Sequence, residues 1–113
     1  MILIVGARSA GKREYAKTLG YSENDMSNDV FSDAKVIYDV QDAVDKAPQK
    51  SLELIPVLLN KQVVICNEVG SGVIPLSKHE RESREATGRL TVLLAQKAER
   101  VVRIVCGIPM VIK

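Results

Sequence analysis

Gly6, Gly11 and Lys12 are the three residues whose spacing points most directly to chemistry. They occupy the fixed positions of GxxxxGK within GARSAGKREYA (6–16). Glycines at both ends let such a loop turn tightly and bring backbone N–H groups around an anion, while the lysine reaches the β- and γ-phosphates of a nucleotide. The helix that follows points its positive dipole end at the same anion. At average amino-acid usage the three residues would coincide by chance only about 0.03 times in a chain of this length. The context agrees, with an apolar run, ILIV (2–5), before the loop and a helix-forming stretch, KREYAKTL (12–19), after it. Gly6, Ala7, Arg8, Ser9, Ala10, Gly11, Lys12 and Arg13 are therefore the expected nucleotide-binding residues, with Lys12 on the phosphates.

Position 13 breaks the pattern. A serine or threonine there would offer Mg²⁺ a hydroxyl ligand beside the β- and γ-phosphates. Arg13 carries only donors and has no lone pair for a metal, so it can pair with a phosphate oxygen or face solvent, but it cannot ligate. Mg²⁺ is thus the doubtful partner of this site, and no metal ligand is assigned. Two carboxylates could compensate. Asp39 ends KVIYD (35–39) and Glu68 follows QVVICN (62–67); ligands of an open parallel sheet bind beyond the carboxyl ends of its strands. Lys12, Asp39 and Glu68 form the candidate catalytic set, with Asp39 also expected to touch the nucleotide.

These residues need a scaffold of alternating strands and helices. Besides 2–5, the apolar runs at 35–39, 62–67, 101–107 and 109–113 read as strands, which argues for βαβ units and a mostly parallel sheet. Ser77 and Glu80 form an S-x-x-E capping box that opens a helix running to about residue 98. Ala86, Leu90, Leu93, Leu94 and Ala98 recur along it at helical spacing and predict a stripe lying on the sheet. Glu80 and Glu85 precede Arg84 and Arg89 by four residues, the favourable order for weak ion pairs on a solvated face. A further helix is expected within 49–60, confined to one side of Pro56 or kinked by it. Residues 20–34, rich in Ser, Asn and Asp, read as an exposed loop.

Composition excludes more than it assigns. With 113 residues, 46% hydrophobic and 27% charged, the chain is expected to form one domain, 1–113, around one core. A net charge of +2, with basic residues interleaved among acids as in KHERESRE (78–85), implies neither a nucleic-acid nor a membrane partner. The opening MILIVG is too short for a span and lacks the features of a signal peptide, so a cytoplasmic location is expected. Cys66 and Cys106 end apolar runs and are expected to pack as small hydrophobes; with His79 they do not make a zinc-site spacing.

Taken together with the loop, the strings NEVGSGVIP (67–75), REATGRL (84–90) and VCGIPMVIK (105–113) resemble the bifunctional adenosylcobinamide kinase and adenosylcobinamide-phosphate guanylyltransferase family of vitamin B12 biosynthesis. The resemblance covers residues 1–18 and about 35–113. It implies a P-loop NTPase-like α/β fold in three layers, here reduced in size. It also implies GTP or ATP as substrate and phosphoryl transfer to the aminopropanol hydroxyl of adenosylcobinamide. The family's nucleotide-contacting aspartate falls on Asp39, and Glu68 belongs to the NEVG string. Ala10 is either an insertion or part of a loop shifted by one residue. The departures are specific. Only residues 20–34 fill the place of a longer family segment that carries the guanylylated histidine, and no histidine lies there. His79 is expected to be an incidental helical residue, Thr91 follows Leu90 where the family has asparagine after "GR", and Arg13 replaces the loop serine. Guanylyl transfer through a covalent histidine is therefore expected to be absent. Two readings stay open, a reduced cobinamide kinase or a non-catalytic nucleotide-binding module. The shortened sheet further suggests a homo-oligomer.

Overall fold

The computed structural model describes residues 1–69 and 77–113, and the elements run in the expected alternation. Strand β1 (Ile2–Gly6) leads through the glycine loop into helix α1 (Lys12–Thr18). Short strands β2 (Met26–Ser27) and β3 (Val36–Ile37) precede α2 (Val40–Lys46) and α3 (Ile55–Leu59). Strand β4 (Val63–Asn67), helix α4 (Lys78–Lys97) and strands β5 (Arg100–Val105) and β6 (Ile108–Val111) complete the chain. The six strands form one sheet in the order β2-β3-β4-β1-β5-β6, parallel except for the β5–β6 pair. This is the α/β, P-loop NTPase-like architecture with a mostly parallel sheet flanked by helices.

Alternation along the central strands sorts side chains to the two faces. Leu3, Val64, Cys66 and Val101 face a cluster completed by Val40, Val44, Leu58, Ala86, Leu90 and Leu94 of α2, α3 and α4. Ile4, Val63, Ile65, Val102 and Ile104 face the opposite cluster, which holds Ala16 of α1. The stripe on α4 packs as its spacing requires, with Ala86, Leu90 and Leu94 fully buried, and the Ser77 side chain accepts from the Glu80 N–H at 3.1 Å. Pro56 sits in the first turn of α3, where its missing N–H is not needed, behind a 3₁₀ stretch at Pro48–Leu54.

Three expectations need correction. Residues 20–34 are not a plain loop: Glu23–Asp25 form a 3₁₀ turn and Met26–Ser27 add the edge strand β2, paired in parallel with β3. Residues 101–107 are not one strand, because Cys106 and Gly107 adopt φ of 50° and 76° and form the two-residue turn between antiparallel β5 and β6. Cys106 is consequently exposed rather than packed. The strand containing Asp39 is also shorter than expected, so Asp39 caps the start of α2 in a left-handed conformation (φ 53°). Residues 70–76, which hold most of the NEVGSGVIP string after Val69, lie outside the described residues.

Candidate phosphate-binding site

A cleft of about 850 Å³ opens beyond the carboxyl ends of the parallel strands, where a sheet of this kind binds ligands. The glycine loop forms one wall. Gly6 ends β1 so close to β5 that an added Cβ would stand 2.7 Å from the Ile104 carbonyl oxygen, and only glycine fits there. Ser9 and Gly11 hold positive φ (61° and 101°), which bends the loop back before α1 begins at Lys12. The β5–β6 turn braces this bend, with the Gly107 N–H donating to the Ala10 carbonyl at 2.8 Å.

Lys12 is 7% exposed, and its ammonium donates to the Ala7 carbonyl at 2.6 Å. Burial holds its pKa below the ordinary lysine value, while Asp39, Cys66, Glu68 and Glu14 pull in the opposite direction. Arg13 is exposed, lines the cleft, and lays its guanidinium 4.6 Å above the ring of Tyr38. Arg8, Ser9, Ala10 and Gly11 also line it; Gly6 and Ala7 do not, and their carbonyls accept from the Glu68 N–H at 2.9 Å and the Ala10 N–H at 3.2 Å.

The opposite wall comes from the start of α2 and the end of β4. Asp39 lines the cleft and its Oδ1 accepts from the Gln41 side-chain amide at 3.3 Å. The same amide accepts from the Asn67 N–H at 3.0 Å, so Gln41 ties the two elements together. Glu68 is placed differently from Asp39. It does not line the cleft; its carboxylate takes a bidentate bond from Arg103, at 2.5 Å from Nε and 3.1 Å from Nη2. Below the floor, burial pushes the Cys66 thiol up to about 12, so it stays protonated and inert.

Gln41, Asp42, Asn67 and Gly107 line the cleft without having been singled out in the sequence. Asn67 opens the NEVG string and Gln41 stands two residues past Asp39, which were the available signals. Gly107 carries a hairpin-turn signal that continuous apolar flanks concealed. His79 lies elsewhere, bonded to Asp45 at 3.1 Å across the seam between α2 and α4. The Thr91 hydroxyl is used within its own helix, donating to the Thr87 and Gly88 carbonyls.

A magnesium ion would need oxygen ligands beside the loop. Arg13 supplies none and both Glu68 oxygens are engaged by Arg103, while Ser9, Glu14, Asp39 and Asp42 bring oxygens to the cleft and Asp39 Oδ1 accepts from Gln41. Among the described residues no group of three or more His, Cys, Asp or Glu side chains could hold a metal ion. At position 13 the loop does not fit the ion, because a guanidinium has no lone pair to give it.

The family model described as cobinamide kinase / cobinamide phosphate guanyltransferase matches residues 25–112. The chain belongs to that family. The matched span starts within the segment between α1 and β3, so the loop at 6–13 is read from its own pattern and geometry. A curated relative, the bifunctional adenosylcobalamin biosynthesis protein CobP of Pseudomonas aeruginosa, is 33% identical over 70 residues, 62% of this chain and 40% of that protein. The alignment therefore spans about two fifths of the relative's length. Among the described residues no helix is long and apolar enough to cross a membrane.

Proposed function

We propose that this family member binds GTP or ATP at the loop 6–13 and passes the γ-phosphoryl group to the hydroxyl of adenosylcobinamide, without guanylyl transfer. The observation carrying this reading is the cleft itself, in which Lys12 at the loop faces Asp39 at the start of α2. On binding, phosphate oxygens replace the Ala7 carbonyl as the partner of Lys12. Arg8 and Arg13 neutralise the charge of the transferring group. The acceptor hydroxyl attacks the γ-phosphorus, the bond to the β–γ bridging oxygen breaks, and the nucleoside diphosphate leaves; the hydroxyl proton passes to Asp39. Positioning and charge do most of this work, which suits a small site. Glu68, tied to Arg103, acts at a distance by orienting the β4 end of the cleft.

Covalent guanylyl transfer needs a nucleophile at the nucleotide, and His79, bonded to Asp45, does not line the cleft. Radiolabel from α-labelled GTP is expected not to remain on the purified protein. A second reading, a nucleotide-binding module that catalyses nothing, is favoured by Arg13 at the hydroxyl position. An assay of adenosylcobinamide phosphorylation separates the two: turnover that collapses in Lys12→Ala supports the kinase, and nucleotide binding without turnover supports the module. We also propose self-association through β6, whose Ile108 and Val111 are 65% and 61% exposed at the sheet edge.

A further inference from the structure

We propose that Arg13 takes the place of a divalent cation at this site, so that the polyphosphate of a nucleotide is held through guanidinium groups with no metal requirement. The inference rests on the reading of residues 6–13 as a nucleotide site and adds the charge chemistry by which that site works.

Arg13 follows Lys12 in α1 and lines the cleft. Its guanidinium stands 4.6 Å above the Tyr38 ring, and Tyr38 directly precedes Asp39 on the opposite wall. A stacked guanidinium uses its flat face against the ring and keeps its N–H donors in the plane of the group, free for a planar or bidentate oxyanion contact. Tyr38 thus acts as a perch that fixes where those donors point, which reduces the ordering cost of binding. No carboxylate among the described residues lies within ion-pair distance of Arg13 or of Arg8, which lines the same cleft. Together these two side chains carry the charge of a divalent ion. At the position where a loop hydroxyl would ligate such an ion, Arg13 offers no lone pair, and both Glu68 oxygens are engaged by Arg103.

Isothermal titration of GTP and of ATP into the full chain, once with Mg²⁺ and once with EDTA, tests this. The wild type is expected to bind equally well in both buffers. Arg13 is exposed, so its variants keep the fold. Arg13→Ala is expected to lose about tenfold or more in affinity, the effect of one charge-assisted hydrogen bond. Arg13→Lys recovers only part of that loss, because an ammonium lacks the flat stack and the fork of donors. Arg13→Ser binds weakly in EDTA and regains affinity when Mg²⁺ is added. Tyr38→Phe retains wild-type affinity while Tyr38→Leu lowers it. A wild type that loses about tenfold or more on chelation, or an Arg13→Ala variant that binds like wild type in EDTA, overturns the inference alone. Absence of binding by the wild type in both buffers overturns it together with the nucleotide reading beneath it.

Discussion

At the scale of single residues, Lys12 shows how function and stability pull apart. Its ammonium is buried against the Ala7 carbonyl, and burial lowers its pKa from 10.5. The unfolded chain therefore takes up this proton more readily than the folded one, so the charged form costs stability at every pH below the lowered value. That cost fades as pH rises through the window between the lowered pKa and 10.5. Lys12→Met is expected to unfold at higher urea than wild type at neutral pH, with the gap closing as pH approaches 10.5; a gap that widens would contradict the sign. Glu68 makes a complementary case. Because Arg103 holds its carboxylate outside the cleft lining, Glu68→Gln is expected to leave nucleotide affinity unchanged in a titration. A loss beyond about tenfold, the value of a charge-assisted contact, would place it on the phosphates. Position in the chain identified Asp39 and Glu68 alike as strand-end acids. What separated them was Arg103, thirty-five residues further along, a partner that no local pattern announces.

At the scale of elements, the close approach of β1 to β5 is what allows the loop to start where it does. Gly6→Ala places a methyl group 2.7 Å from the Ile104 carbonyl oxygen, a backbone atom that cannot step aside. The variant is expected to lose about 1–3 kcal/mol of stability, the usual cost of overpacking, measured by urea unfolding; a loss near zero would mean that β1 and β5 are further apart than described. The glycine loop, the central strands and α4 were legible in the sequence because each is specified locally, by glycine spacing, by apolar runs, and by Ser77 with a helical stripe. The elements missed were those held by distant partners. Met26–Ser27 becomes a strand only through β3, and α2 was hidden by a left-handed Asp39 that ends the preceding strand early. The β5–β6 hairpin was hidden because Cys106–Gly107 interrupts apolar sequence that continues on both sides.

At the scale of the whole molecule, the sheet ends at β6, an edge strand whose Ile108, Met110 and Val111 are all exposed. Exposed apolar edges favour pairing with another chain, and charge on them opposes it. The protein is accordingly expected to sediment as an oligomer and Val111→Lys as a smaller species; a wild-type monomer would remove the proposal. Family membership rests on residues 25–112, whereas the chemistry proposed rests on the loop before them. The most direct test of the account is therefore calorimetric titration of GTP and ATP into the wild type and Lys12→Ala. The account predicts saturable binding by the wild type that is lost in the variant. No binding by the wild type, or equal binding by the two, would contradict it.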